Sequence, residues 1–169
     1  MSKTTCMTRL ALLIAVGGAI HWVERMVGVP FPVPGAKLGL ANVVTLYCII
    51  MWGGSKGVYV AVGRTIFGSL LGGTFGTPAF AMSLSGGVAA ALVMSAAYFL
   101  LPVGAVGASM SGAVTHNLTQ LAVFALITRY PGVFVYSPYL ILLAIPSGLV
   151  TGLIASYFKQ RSEKLLSFH

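Results

Sequence analysis

One guanidinium lies deep in an apolar stretch. Arg64 stands seven residues into the run from Gly57 to Phe75, about 10 Å along a helix at ~1.5 Å per residue. No charged residue follows between Thr65 and Thr115. An unpaired Arg in hydrocarbon is costly, so it must face a bundle interior, reach water or meet an anion. Two readings stand open. Arg64 bonds backbone carbonyls or snorkels to the inner surface, or it serves as counter-charge to an anionic ligand or as a coupling contact. A second constellation is THNLTQ, in which His116 and Gln120 lie four apart on one helical face. Ser109 and Gly112 continue that stripe, and Asn117 stands to one side. His116 falls about 18 Å into its span, a little beyond mid-membrane. Such groups either hydrogen-bond a polar head group, with small neighbours leaving room, or hold helices together. Asn42 and Thr45 fall at a similar depth on another span, and Ser83 and Ser85, before Gly86-Gly87, complete a candidate wall.

Much chemistry is excluded. Of 169 residues, 57% are hydrophobic and 7% charged, which places the chain in the membrane class. Glu24 and Glu163 are its two acidic residues, and it has no aspartate. Clustered-carboxylate Mg²⁺ sites, paired-carboxylate hydrolysis and carboxylate proton relays therefore have no residues to work with. No GxxxxGK[ST] loop is present for ATP. The chain reads as a non-enzyme with no cofactor and no metal site. Its histidines, with His116 intramembrane, His21 interfacial and His169 terminal, have no ligand spacing. Cys6 and Cys48 are far apart and read as apolar fillers. The net charge of +8 is scattered at span ends, which argues against nucleic acid.

Six spans must position these groups, within one transmembrane domain covering residues 1–169. They run from about Thr8 to Trp22, Leu38 to Trp52, Gly57 to Phe75, Phe80 to Leu101, Val103 to Ile127 and Pro138 to Phe158. GGSKG, GTP, LPVG and RYPG mark the breaks. The N-terminal segment superficially resembles a signal peptide, but lacks a clear cleavage site before HWVER and reads as a first span. Lys3, Arg9, Lys56, Lys159, Arg161 and Lys164 on one side outnumber Arg25, Lys37 and Arg129 on the other. The positive-inside rule then gives N-in, C-in. The expected location is a plasma membrane of the bacterial inner-membrane type. Pro30, Pro32 and Pro34 sit outside, where they cannot lie in a helix interior. With Lys37 they form either a stiff cationic lid over a site or a plain connector. Ala11, Ala15 and Ala19 repeat at a spacing that admits a close helix, inside the bundle or from a partner. Gly68, Gly72 and Gly76 share the spacing and read as internal packing.

PGAKLGLANVVTL, the GRT of Gly63–Thr65, SLSGG of Ser83–Gly87 and GAVTHNLTQ resemble the Gx transporter family, catalogued also as heptaprenyl diphosphate synthase component I. That family in turn resembles the S components of energy-coupling factor (ECF) transporters, all-α membrane proteins of six helices. The resemblance implies a first loop closing over an outward-facing site, and an Ala row on the first helix docking on a coupling subunit.

Two functions follow. In the first, the chain is a substrate-capture subunit for uptake of a small anionic or amphipathic molecule. Lys37 steers the ligand, Asn42, His116, Asn117 and Gln120 orient it, and Arg64 balances its charge. Ala11, Ala15 and Ala19 pack on an ECF coupling protein driven by ATPases. In the second, the chain is a non-catalytic membrane component of heptaprenyl diphosphate or isoprenoid-quinone synthesis, partnered by a separate prenyl synthase. Having no aspartate, it is not the catalytic subunit of that reaction.

Overall fold

Glycine and proline breaks divide the chain into six α-helices in the computed structural model, which describes residues 3–27 and 39–166. They are α1 (Lys3–Val27), α2 (Asn42–Trp52), α3 (Gly54–Leu71), α4 (Pro78–Leu100), α5 (Gly104–Thr128) and α6 (Ser137–Leu166), with a 3-10 helix at Pro131–Tyr136 before the last. No strand occurs among the described residues. The Pro30–Lys37 loop, Lys37 included, lies outside the described residues.

Local chemistry accounts for the ends. Gly53 alone separates α2 from α3, at φ 97° and ψ 164°, a conformation that a Cβ would oppose. Pro78 opens α4 at the first helical turn, where its missing N–H costs no hydrogen bond. α5 stops at Arg129 in the left-handed region (φ 54°), and the Arg129 N–H donates to the Ala125 carbonyl. α6 runs through Pro146, which removes one backbone hydrogen bond inside the helix.

Among the described residues, four helical runs are long and apolar enough to cross a membrane. They are Thr4–Met26, Pro78–Leu100, Gly104–Thr128 and Pro131–Lys164. The expected second span is the shortest α-helix. α2 has 11 residues, about 16 Å of helix against a hydrocarbon core of ~30 Å. α3 covers Gly54–Leu71 rather than extending to Phe75, because Gly73 and Gly76 take positive φ in a turn. With Arg64 and Lys56 it is not among the four apolar runs. α1 is longer than expected at both ends.

Successive helices run in opposite directions. Arg64 reaches back to Asn42 and Thr45 while Gly57 meets Ile49, so α2 and α3 form an antiparallel hairpin. Gly54 meets Ser95 and Gly87 meets Thr65 across α3 and α4. Gly112 meets Met94 and Gly86 meets Gln120 across α4 and α5. α5 and α6 approach backbone to backbone: a Cβ at Gly148 would lie 2.6 Å from Met110 Cα, and one at Gly152 would lie 2.7 Å from Val106 Cα. This four-residue glycine spacing on α6 permits a close approach of the two helices. α1 runs parallel to α3, with Gly17 against Arg64, Gly18 against Phe67 and Gly68 against His21.

α2 is the central element. It packs against all five other helices. Leu46, Cys48 and Ile49 are fully buried, and Leu46 and Ile49 join Ala90, Met94, Ala108 and Ala155 in the main apolar core. The outer faces are apolar too. Met7, Leu12, Leu126, Tyr139 and Leu142 are all well exposed, as a surface solvated by lipid requires.

Candidate functional site

The α2–α3 hairpin builds the first half of a polar core. Arg64, 2% exposed, donates from Nε to Thr45 Oγ1 at 2.9 Å and from Nη2 to Asn42 Oδ1 at 2.6 Å. Both acceptors are neutral, and they use two of the five guanidinium N–H donors. The side chain thus faces the bundle rather than the inner surface. Gly17 makes room for it, since a Cβ there would come 3.1 Å from Arg64 Cβ and Cδ.

α5 supplies the second half. His116, Asn117 and Gln120 are all buried. Gly86 and Gly87 of α4 stand between the halves. A Cβ at Gly86 would lie 2.9 Å from Gln120 Cγ and 3.3 Å from His116 Cε1. A Cβ at Gly87 would lie 3.5 Å from Thr65 Oγ1 and 3.8 Å from Arg64 Nη2. One glycine pair is therefore the meeting point of the cation on α3 and the polar face of α5. Asn42 Nδ2, Ser69 Oγ and Gln120 Nε2 are buried without a hydrogen-bond partner among the described residues. Unsatisfied buried polar groups cost about 1–3 kcal/mol each, so a concentration of them marks a place where a polar ligand is favoured.

Other sequence-singled residues go elsewhere. Asn117 donates from Nδ2 to the Leu140 carbonyl at 3.2 Å, tying α5 to α6. Ser109 and Thr151 pair at 2.6 Å across the same two helices. Ser85 Oγ bonds to its own helix at the Ala81 carbonyl, so Ser83, buried on the other face, is the serine left for the wall. His21 is 3% exposed, packed against Gly68. Ala11, Ala15 and Ala19 are exposed along α1, on the outside of the bundle. Gly76 leaves the helix altogether, so only Gly68 of the α3 glycine row packs mid-helix.

Glu24 was not legible as part of this arrangement. Its Oε1 accepts the Leu40 N–H at 2.5 Å and its Oε2 the Ala41 N–H at 3.4 Å. A carboxylate at the N-terminus of α2 satisfies donors that the helix leaves open and complements its dipole. Glu24 thereby holds the end of α1 over the helix that carries Asn42 and Thr45. Arg25 beside it donates to Thr74 Oγ1, fastening α1 to the turn after α3. Thr65 and Ser69, four apart on α3, form a polar stripe beside Arg64 in sequence, and both are buried.

A cavity lined by α1, α2 and α6 lies apart from this polar core. It has a volume of about 310 Å³ and lies at the far end of α2, beside Arg9 and Trp52. The polar core is defined instead by hydrogen-bonding chemistry and the missing side chains of Gly86 and Gly87. No group of three or more His, Cys, Asp or Glu that could hold a metal occurs among the described residues.

A family model described as heptaprenyl diphosphate synthase component I matches residues 13–158. No curated protein matches the chain, and no solved structure does.

Proposed function

The chain belongs to the heptaprenyl diphosphate synthase component I family, and we propose that it is a non-catalytic membrane subunit of isoprenoid diphosphate synthesis. It binds a prenyl diphosphate, or an anionic amphiphile of that kind, for a partner enzyme. The observation that carries this reading is Arg64, a fully buried cation whose hydrogen-bond partners are neutral. A diphosphate oxygen is the natural acceptor for its remaining donors. Gln120, Asn42 and His116 supply neutral contacts, and the apolar bundle suits an isoprenoid tail. The lack of aspartate supports a holding role, because chain elongation on Mg²⁺ needs carboxylates that this sequence does not contain. The alternating helix directions support six crossings with both ends inside, α2 serving as a short, protein-enclosed crossing. Topology is tested by labelling Lys56→Cys and Lys159→Cys variants, with Cys6 and Cys48 replaced; both sites react from one side. Function is tested by co-purification with a soluble aspartate-rich prenyl synthase and by that enzyme's product lengths after deletion of this chain. Unchanged products and no association would sink the proposal.

A second reading rests on a different observation. Ala11, Ala15 and Ala19 are exposed on one face of α1, where a partner helix would pack closely in lipid. That face supports an uptake subunit docked on a coupling protein with ATPases. Uptake unaffected by Ala15→Leu, with no ATPase co-isolating, would refute it.

A further inference from the structure

The helices around α2 do not close into a ring. α1 meets α3, α3 meets α4, α4 meets α5 and α5 meets α6, yet no Cα of α1 comes within 8 Å of a Cα of α6 among the described residues. α2 floors the gap between them. The result is a groove of about 310 Å³ lined by Arg9 and Leu12 of α1, Tyr47, Met51 and Trp52 of α2 and Ser162 of α6. Tyr47 OH and Ser162 Oγ pair at 2.7 Å, clamping the floor to one wall. The Tyr47 and Trp52 rings meet edge to face at 5.9 Å. Leu12, on the other wall, is 64% exposed and continues the apolar lining onto the outer face of α1, toward Val16.

This groove has the composition of a membrane interface folded inward. Trp and Tyr sit where apolar and polar surroundings meet. Lys56, Lys159, Arg161 and Lys164 crowd the same end of the bundle, and Glu163 pairs with Lys159 at 3.8 Å. That end therefore attracts anions at a lipid surface. The lining itself contributes one cation, Arg9, which matches one phosphodiester charge better than the several charges of a diphosphate. The lateral opening and mostly apolar walls select a ligand with a hydrocarbon chain over a soluble anion.

We propose that the groove between α1 and α6 is a binding site for an anionic phospholipid, with its phosphate at Arg9 and an acyl chain along Leu12 and Met51. This site is separate from the polar core at Arg64, and its occupant is a resident lipid rather than the ligand handed to a partner.

Trp52 reports on the site directly, because Trp22→Phe leaves it as the only tryptophan. The full chain in phosphatidylcholine vesicles is titrated with dibrominated phosphatidylglycerol or dibrominated phosphatidylcholine, and Trp52 quenching is followed. Phosphatidylglycerol is preferred by about fivefold, the worth of roughly one cation at the surface. The preference falls to near unity in Arg9→Gln, persists in Arg9→Lys and is unchanged in Lys56→Gln. In native mass spectra, the wild-type chain retains phosphatidylglycerol over phosphatidylcholine, and Arg9→Gln loses that selectivity. Equal quenching by the two lipids overturns the proposal. So does an equal loss in Lys56→Gln, which means surface potential alone. Displacement of the brominated lipid by micromolar farnesyl diphosphate also overturns it, and assigns the groove to prenyl diphosphates instead.

Discussion

Adding one methyl group at each of two adjacent glycines separates the architecture of the polar core from its use. Gly86 and Gly87 both lack a side chain where α4 faces polar groups, but their surroundings differ. A Cβ at Gly86 would sit 2.9 Å from Gln120 Cγ and 3.0 Å from the His116 carbonyl oxygen. The backbone contact cannot yield by a rotamer change, so α4 and α5 must separate slightly. Overpacking of this kind costs about 1–3 kcal/mol, and the Ala-for-Gly helix preference of ~1 kcal/mol offsets part of it. A Cβ at Gly87 meets nothing closer than 3.5 Å, which is ordinary contact. Gly87→Ala is thus expected to leave stability unchanged or raise it by up to ~1 kcal/mol. Its effect on a ligand is the opposite. The new methyl stands 3.8 Å from Arg64 Nη2, within the space a phosphate oxygen needs at ~2.8 Å from that nitrogen. Loss of one charge-assisted hydrogen bond, about 1.5–3 kcal/mol, weakens binding roughly 10- to 100-fold. The assays are thermal unfolding in detergent by circular dichroism and calorimetric titration with farnesyl diphosphate and with inorganic diphosphate. Gly86→Ala should melt lower with altered binding, and Gly87→Ala should melt as wild type with weakened binding. Wild-type affinity in Gly87→Ala refutes the assignment of Arg64 to the ligand. A melting point above wild type in Gly86→Ala refutes the close α4–α5 packing.

Gly148→Ala forces a Cβ to within 2.6 Å of Met110 Cα, and is expected to lower the stability of the α5–α6 pair by about 1–3 kcal/mol in a detergent unfolding titration. Glu24→Gln removes the anion at the start of α2 while keeping an acceptor there. It should cost about 0.5–1 kcal/mol and increase hydrogen exchange at Leu40 and Ala41 before any other part of α2. Asn117→Ala loses a hydrogen bond between helices worth roughly 0.6 kcal/mol in a membrane, with diphosphate affinity unchanged. A tenfold loss of affinity in that variant would return Asn117 to the ligand site.

The number of helices and the positions of the breaks between them were legible because they are local. Gly53, Thr77-Pro78 and Tyr130-Pro131 break the backbone wherever they occur, and apolar runs between them read as helices without reference to any neighbour. Arg64, His116 and Gln120 stood out because polar groups in hydrocarbon are costly in any arrangement. The length of α2 was not legible. The apolar pattern continues upstream of Asn42 through Leu38 and Leu40, and it does not reveal that Glu24 fixes the helix start from the end of α1.

The sequence by itself determined the class of the protein, its missing carboxylate chemistry and the small set of polar residues available to a ligand. Each follows from composition and from spacing along single helices. Only the tertiary structure decided which of those residues meet. It brought Arg64 to Asn42 and Thr45 across a one-glycine hairpin and set Gly86-Gly87 between Arg64 and Gln120. It gave Asn117 to the α5–α6 contact and left α1 and α6 apart around Arg9. The physical reason is that helix rotation and neighbour choice are set by close packing of small residues on different helices. One glycine carries no mark of which partner it admits until the partner is in place.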